Sequence, residues 1–289
     1  MPVVVPLRQH VLPHGIPVSV ACAAALAAVL VILALAAPLI APYDPATQTL
    51  LARLRPPIGF LGADPRHWLG TDQLGRDMLT RCLYGLRLSL FLSLSGTVIG
   101  LFLGTALGVA AAMGGRVADA LIMGLVDVKL ALPFTLVALV VIAVAGSGIS
   151  VLVVVLGIAY WAHFARLVRA ELMALRSLPF VEAARAVGAS RTRLAMVHML
   201  PNIVSPVVVM TTLNFSNLIL LESSLSFIGL GVQPPTATLG SMVGLGRDYM
   251  ASAPWIVAEP ALLIFSVSLA VMLLGDFLCD RFNVRLRDR

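Results

Sequence analysis

Lysine is all but missing from this chain: Lys129 is the only one in 289 residues. That scarcity excludes a class of function. A phosphate-binding loop of the form G-x-x-x-x-G-K-[ST] needs a lysine that reaches the phosphates. Lys129 sits instead in the apolar stretch Val126-Asp127-Val128-Lys129-Leu130, so the chain supplies no nucleotide-hydrolysing site of that kind. Charge of any sign is scarce as well. Charged residues make up 12% and hydrophobic residues 60%, against roughly 25% and 45–50% in soluble domains. Too little polar surface is available to cover a water-soluble fold, so lipid is the expected solvent. The three cysteines, Cys22, Cys82 and Cys279, lie in or beside apolar runs with neither metal-ligand spacing nor a paired framework. They read as small hydrophobes. The formal charge of +6 is almost wholly arginine. These arginines sit in short loops between apolar runs, a placement that sets membrane topology rather than building a face for nucleic acid.

A spanning helix needs about 20 apolar residues. Six segments meet that length: Val18 to Ala41, Leu88 to Met113, Ala120 to Ala145, Ile149 to about Val168, the run after Pro201 to Phe227, and Trp255 to Asp276. Gly146-Ser147-Gly148 separates the third from the fourth. The first run follows a stretch holding only Arg8 and lacks an A-x-A-like site at the right depth, so it reads as a span and not a cleavable leader. The resulting organisation is a tail over 1–17, a first span over 18–41, an outer or surface segment over 42–87, a five-span core over 88–279 and a tail over 280–289.

Arginine placement gives the orientation. With both termini cytoplasmic, the inner side holds Arg8, Arg116, Arg166, Arg169, Arg176, Arg185, Arg191, Arg193, Arg281, Arg285, Arg287 and Arg289. The outer side holds Arg53, Arg55, Arg66, Arg76, Arg81, Arg87 and Arg247. Twelve against seven favours this orientation. The segment 42–87 runs against the trend, since six of those seven lie in it. It also holds four Asp, which count little in the rule.

The polar island from Arg166 to Pro201 is too charged to span and too patterned for a passive linker. Ser177 and Pro179 predict a helix start, Phe180 to Val187 a short helix, and Gly188 its left-handed stop. Ser190 predicts the cap of a second helix, Arg191 to Leu200, closed by Pro201. Glu182 lies near a helix N-terminus, where its charge is favoured. Ala183, Ala184 and Ala186 lack bulk and let another protein approach. The pattern alone leaves a docking knuckle and an ordinary loop packed on its own protein equally open.

Glu182-Ala183-Ala184, with Gly188 four residues on and Leu200-Pro201 beyond, resembles the E-A-A-x-x-x-G loop of ATP-binding-cassette importer permeases. His198-Met199-Leu200-Pro201-Asn202 is similar to the peptide-type branch, which often has His where the generic pattern prefers Ile. Ala37 to Pro45, Leu69-Gly70-Thr71-Asp72-Gln73-Leu74-Gly75-Arg76-Asp77, and Glu222 to Pro235 resemble stretches of the same dipeptide/oligopeptide/nickel branch. The resemblance covers nearly all of the chain after the first thirty residues. It implies an all-α integral membrane fold of six transmembrane helices, the type I importer permease (MetI-like) fold, with a cytoplasmic coupling helix in the loop 170–201. The coupling residues it implies are Glu182, Ala183, Ala184, Arg185, Gly188 and Ala189. It further implies a homologous permease subunit, two ATPase subunits that use ATP and Mg, and an extracytoplasmic substrate-binding protein. This chain itself is expected to be no enzyme and to bind no cofactor and no metal. Peptides are the expected solute; a nickel complex or glutathione is the alternative. The chain departs from the branch at Lys129, where an apolar residue is usual, and at Val284, where Pro is usual.

Charged residues at membrane depth are costly and face a cavity or a partner. Asp127, Lys129, Glu222 and Asp276 are candidates. Asp127, Lys129 and Glu222 are candidate path or gate residues; Asp127 and Lys129 read first as a structural pair or as a lysine snorkelling to the inner surface, and Glu222, close to the outer end of its span, either holds the outer gate by hydrogen bonds or meets the amino group of an incoming peptide. Lys129 either bears on substrate choice or pairs with Asp127. Two rival readings fare worse. A Ser147–His163 hydrolase pair fails because the two lie about 20 Å apart along the axis. An ion-coupled secondary transporter would show buried acidic chains and repeat symmetry, and neither is visible.

Overall fold

The computed structural model describes residues 17–287, with side chains as far as Arg281. The readings placed on Arg8, Val284, Arg285, Arg287 and Arg289 lie outside the described residues and side chains. Apart from one antiparallel bridge between Thr71 and Asp77, regular structure among the described residues is helical. Among the described residues five helices are long and apolar enough to cross a membrane, and a pair bent by 91° has the combined length and composition for a sixth crossing or a re-entrant loop.

Helix α1 (Val18–Ile40) buries Ala23, Leu30, Ala34 and Ala37 along one stripe, while Val29, Ile32, Leu35 and Leu39 stay exposed, as a lipid-facing side would. Helix α2 (Met78–Met113) begins at Met78 rather than near Leu88. Asp77 explains the early start: its Oδ2 accepts from the Thr80 amide at 2.8 Å and caps the first turn. Gly96, Gly100, Gly104 and Gly108 then form a four-residue repeat along α2. A Cβ at Gly104 would stand 2.5 Å from Phe164 Cβ, and one at Gly108 would stand 2.7 Å from the Ala165 carbonyl. The repeat is a groove that lets a second helix backbone come close, the usual way membrane helices associate.

That second helix is the fourth span. It consists of α5 (Ile149–Gly157) and α6 (Trp161–Leu175), interrupted at Ile158-Ala159-Tyr160, and it ends at Leu175 rather than near Val168. The expected unbroken third span is two helices as well, α3 (Arg116–Ala131) and α4 (Phe134–Ala145), bent by 91°. Pro133 causes the bend: it has no amide to donate to the Lys129 carbonyl and its ring collides with that turn.

Helix α7 (Pro179–Ala186) is the predicted short helix. The next one corrects the expectation that Pro201 closes it. Helix α8 (Arg191–Arg193) runs through a π-turn at Leu194–Met199 and a tight turn at Leu200–Ile203 into α9 (Val204–Phe227), as one 37-residue run. The local change of hydrogen-bond spacing accommodates the donor missing at Pro201. Helices α10 (Leu239–Gly246) and α11 (Trp255–Arg287) complete the fold. Leu92 of α2, Leu152, Val155 and Leu156 of α5, and Leu218 and Leu225 of α9 make the central core. Leu30, Leu86, Ile219 and Val267 join α1, α2, α9 and α11.

The segment before α2 is a folded clasp. Asp72 Oδ1 accepts from the amides of Leu74 and Arg76, and its Oδ2 lies 2.6 Å from Arg76 Nε and 3.4 Å from Arg81 Nε. His67 Nδ1 meets Asp77 Oδ1 at 2.9 Å, and Trp255 Nε1 of α11 donates to the Thr71 carbonyl at 3.2 Å. Arg76, Arg81 and Asp72 are all buried. These two arginines are thus structural ion-pair partners, which accounts in part for the excess that ran against the topology rule. Farther out, the exposed Arg66 holds the part-buried Asp64 carboxyl well below the usual carboxylate range through a hydrogen bond.

Candidate functional site

The elbow between α6 and α9 is built as the sequence pattern suggests, with one exception. Pro179 occupies the first turn of α7, but Leu178 is its N-cap, and Ser177 Oγ donates backward to the Ala174 carbonyl at 3.2 Å. Val181, fully buried, pins α7 to Val168, Leu172, Leu194, Met199 and Ile203, with Ala184 and Ala189 packed at the edge. The helix ends in a Schellman motif. Gly188 has φ +90°, its amide donates to the Arg185 carbonyl, and the Ala189 amide donates to the Ala184 carbonyl. Ser190 then accepts from the Arg193 amide at 3.3 Å. Arg176 Nη1 donates to the Ala112 carbonyl at 2.9 Å and fastens the elbow to the end of α2.

The outward face of this elbow is exposed. Glu182, Ala183, Arg185 and Gly188 are exposed, and Val187 is 90% exposed. Ala183, Ala184, Val187, Gly188, Ala189, Ser190, Arg193 and His198 line an open depression of about 600 Å³. Among the described residues, no hydrogen bond or ion pair engages the side chains of Glu182 or Arg185. The elbow thus presents an apolar rim beside an exposed acid and an exposed base.

Residues 96–288 match the family of binding-protein-dependent transport system inner membrane components. The chain belongs to that family. It is an importer permease of the ATP-binding-cassette class, and among its relatives is a di/tripeptide transport system permease from Pseudomonas aeruginosa. That protein is 43% identical over 255 residues, covering 88% of this chain and 84% of the relative. A dipeptide permease from Haemophilus influenzae is 36% identical, covering 88% and 86%. A glutathione permease from Pectobacterium atrosepticum is 38% identical, covering 88% and 83%. A chain from the structure of inward-facing conformations of the MetNI methionine ABC transporter shares the fold, with a TM-score of 0.55 at 21% identity. It covers 70% of this permease and 95% of that chain.

The permease holds its intramembrane charges apart. Asp127 pairs with Arg166 at 2.5 Å, not with Lys129. Lys129 Nζ donates to the Ala159 carbonyl in the α5–α6 interruption, with the Phe134 and Tyr160 rings 5.4 and 5.9 Å away. The two-residue offset turns Asp127 and Lys129 to different sides of α3. Glu222 is fully buried. Its Oε2 accepts from Ser89 Oγ at 3.1 Å and its Oε1 from Ser226 Oγ at 2.7 Å, while Ser89 Oγ accepts from the Leu239 amide at 3.2 Å. One carboxyl thereby ties α2, α9 and the start of α10. Asp276 stands exposed on α11.

Sequence reasoning overlooked three features. The glycine repeat of α2 was visible as spacing alone. Glu259 lies in the sixth apolar run, where a charge is itself the signal; its Oε2 is buried without a hydrogen-bond partner. The Asp119–Arg169 pair, at 2.5 and 2.6 Å, fastens α3 to α6, and no local pattern announces a pair fifty positions apart.

Proposed function

We propose that this permease forms, with a homologous second permease, the pathway for di- and oligopeptides delivered by an extracytoplasmic binding protein, and that two separate ATPase subunits drive it with ATP and Mg. The exposed elbow around Glu182 and Gly188 is the observation that supports this reading. It presents a rigid, small-residue knob with unpartnered charges, and the chain has no lysine placed to serve a nucleotide site of its own. Glu182, Ala183, Ala184, Arg185, Gly188 and Ala189 are the contact set for the ATPase. The names of the peptide-transporting relatives support the solute class. Arginine placement supports cytoplasmic termini, which puts the elbow on the cytoplasmic face and the clasp outside.

Closure of the ATPase pair on ATP would press on α7. Val181 transmits that motion into Val168 and Leu172 of α6 and Ile203 beside α9, and the groove of α2 couples α6 to the rest. ATP shifts the inward–outward balance only by binding one state more tightly. Glu222, at the junction of α2, α9 and α10, is placed to hold the outer end in one arrangement. Purification of the tagged permease should bring down a separate ATPase, and proteoliposomes of the complex with its binding protein should take up dipeptides in a vanadate-sensitive manner. Uptake driven by an ion gradient without ATP would overturn this reading.

A further inference from the structure

We propose that Lys129 is an anion-binding residue of the transport pathway and takes the C-terminal carboxylate of a peptide in transit. The inference rests on the peptide reading above. It begins with an unbalanced charge. Among the described residues no carboxylate pairs with Lys129, because the nearby Asp127 is turned to Arg166. One of the three ammonium donors is committed to the Ala159 carbonyl, and two remain. The side chain is only half-buried, so these donors are within reach of a solute.

Depth gives the charge its meaning. Ala159, whose carbonyl Lys129 meets, stands roughly 15 Å along the fourth span from its start at Ile149, at 1.5 Å per residue. Against a hydrocarbon core about 30 Å thick, that count puts the ammonium near the middle of the fourth span. An isolated cation in lipid at that depth is heavily penalised, so it belongs to a wet pathway or has a counter-ion.

The two interrupted spans meet at this point. Lys129 lies in the last turn of α3, with Phe134 of α4 and Tyr160 at the α5–α6 break beside it. Broken helices at the midplane leave free backbone ends that line solute sites. Neither α4 nor α6 has a side-chain cap at its N-terminus. Each break supplies one positive and one negative helix end, so the ends cancel and the ammonium remains as the net charge. His163 Nδ1, close to Tyr160, is buried without a partner and adds a polar wall. Lipid phosphates lie at the membrane surface and do not reach this depth. The anion that does is a carboxylate on the solute.

The test reconstitutes the complete transporter, with its partner subunits and binding protein, and compares uptake of trialanine with that of trialanine amide. Each peptide is supplied above its measured Kd for the binding protein. Lys129→Gln keeps a donor for the Ala159 carbonyl but removes the charge, and it is expected to lower the acid-to-amide uptake ratio about tenfold, the worth of one charge-assisted hydrogen bond. Lys129→Arg is expected to preserve the ratio. An unchanged ratio in Lys129→Gln, whether both uptakes fall together or neither does, overturns the anion site and leaves Lys129 a staple between two helices. Failure of the wild-type transporter to take up either peptide overturns the peptide reading, and this inference with it.

Discussion

At the scale of single residues, buried charge is tolerated here only where hydrogen bonds surround it. Asp72 neutralises Arg76 and Arg81, and all three are buried. Asp72→Ala would leave two buried guanidiniums without a counter-charge, a loss of about 3–5 kcal/mol. The clasp before α2 should then become sensitive to limited proteolysis. Glu222 works by acceptance rather than by pairing. Glu222→Ala strips Ser89 and Ser226 of an acceptor and should cost about 1–3 kcal/mol, read as a lower Tm in detergent. Glu222→Gln retains one acceptor oxygen and should unfold closer to wild type but transport poorly. Wild-type uptake by that variant would remove Glu222 from the gate.

At the scale of elements, close approach and chain reversal decide the outcome. The face of α2 that holds Gly104 and Gly108 is filled by the backbone of α6, so no side chain fits between them. Gly104→Leu should prevent α6 from seating and abolish assembly, measured as loss of the folded monomer on size exclusion. Gly188 poses a different constraint. A Cβ there meets nothing within 4 Å, so the demand is purely for the left-handed backbone. Gly188→Val should strain the elbow by about 1–2 kcal/mol and lower uptake at normal expression. Gly188→Asn, which tolerates that conformation better, should retain more. Equal uptake by all three versions would show that the elbow geometry plays no part in coupling.

At the scale of the whole molecule, the permease is a bundle with two outward-looking ends and an incomplete middle. The clasp braces one end through Trp255. The elbow protrudes from the other through Val181. Between them the third and fourth spans are both interrupted. Glu182→Lys reverses the one free acid on the elbow and should uncouple uptake from ATP hydrolysis while leaving membrane insertion intact. The check is ATPase activity of the assembled complex measured beside transport; normal coupling in this variant would remove Glu182 from the docking surface.

Composition and periodicity alone determined much of this protein: an all-helical chain in lipid, the position of most spans, and the short helix stopped at Gly188. These follow from local rules, since apolar length, capping and a left-handed glycine each act within a few residues. Continuity of the spans was harder to read, because hydropathy is blind to direction. It runs smoothly across Pro133 and across Ile158-Ala159-Tyr160, where the backbone breaks, and the proline at 201 looked like a terminus where a π-turn absorbs it. Partners were beyond local reading altogether. Asp127 and Lys129 are neighbours in sequence, yet one turns to Arg166 and the other to the carbonyl of Ala159. Lysine scarcity showed that this chain supplies no phosphate-binding loop. Only the tertiary structure placed its single lysine between two broken helices, because which charges meet depends on how distant segments pack and not on their order along the chain.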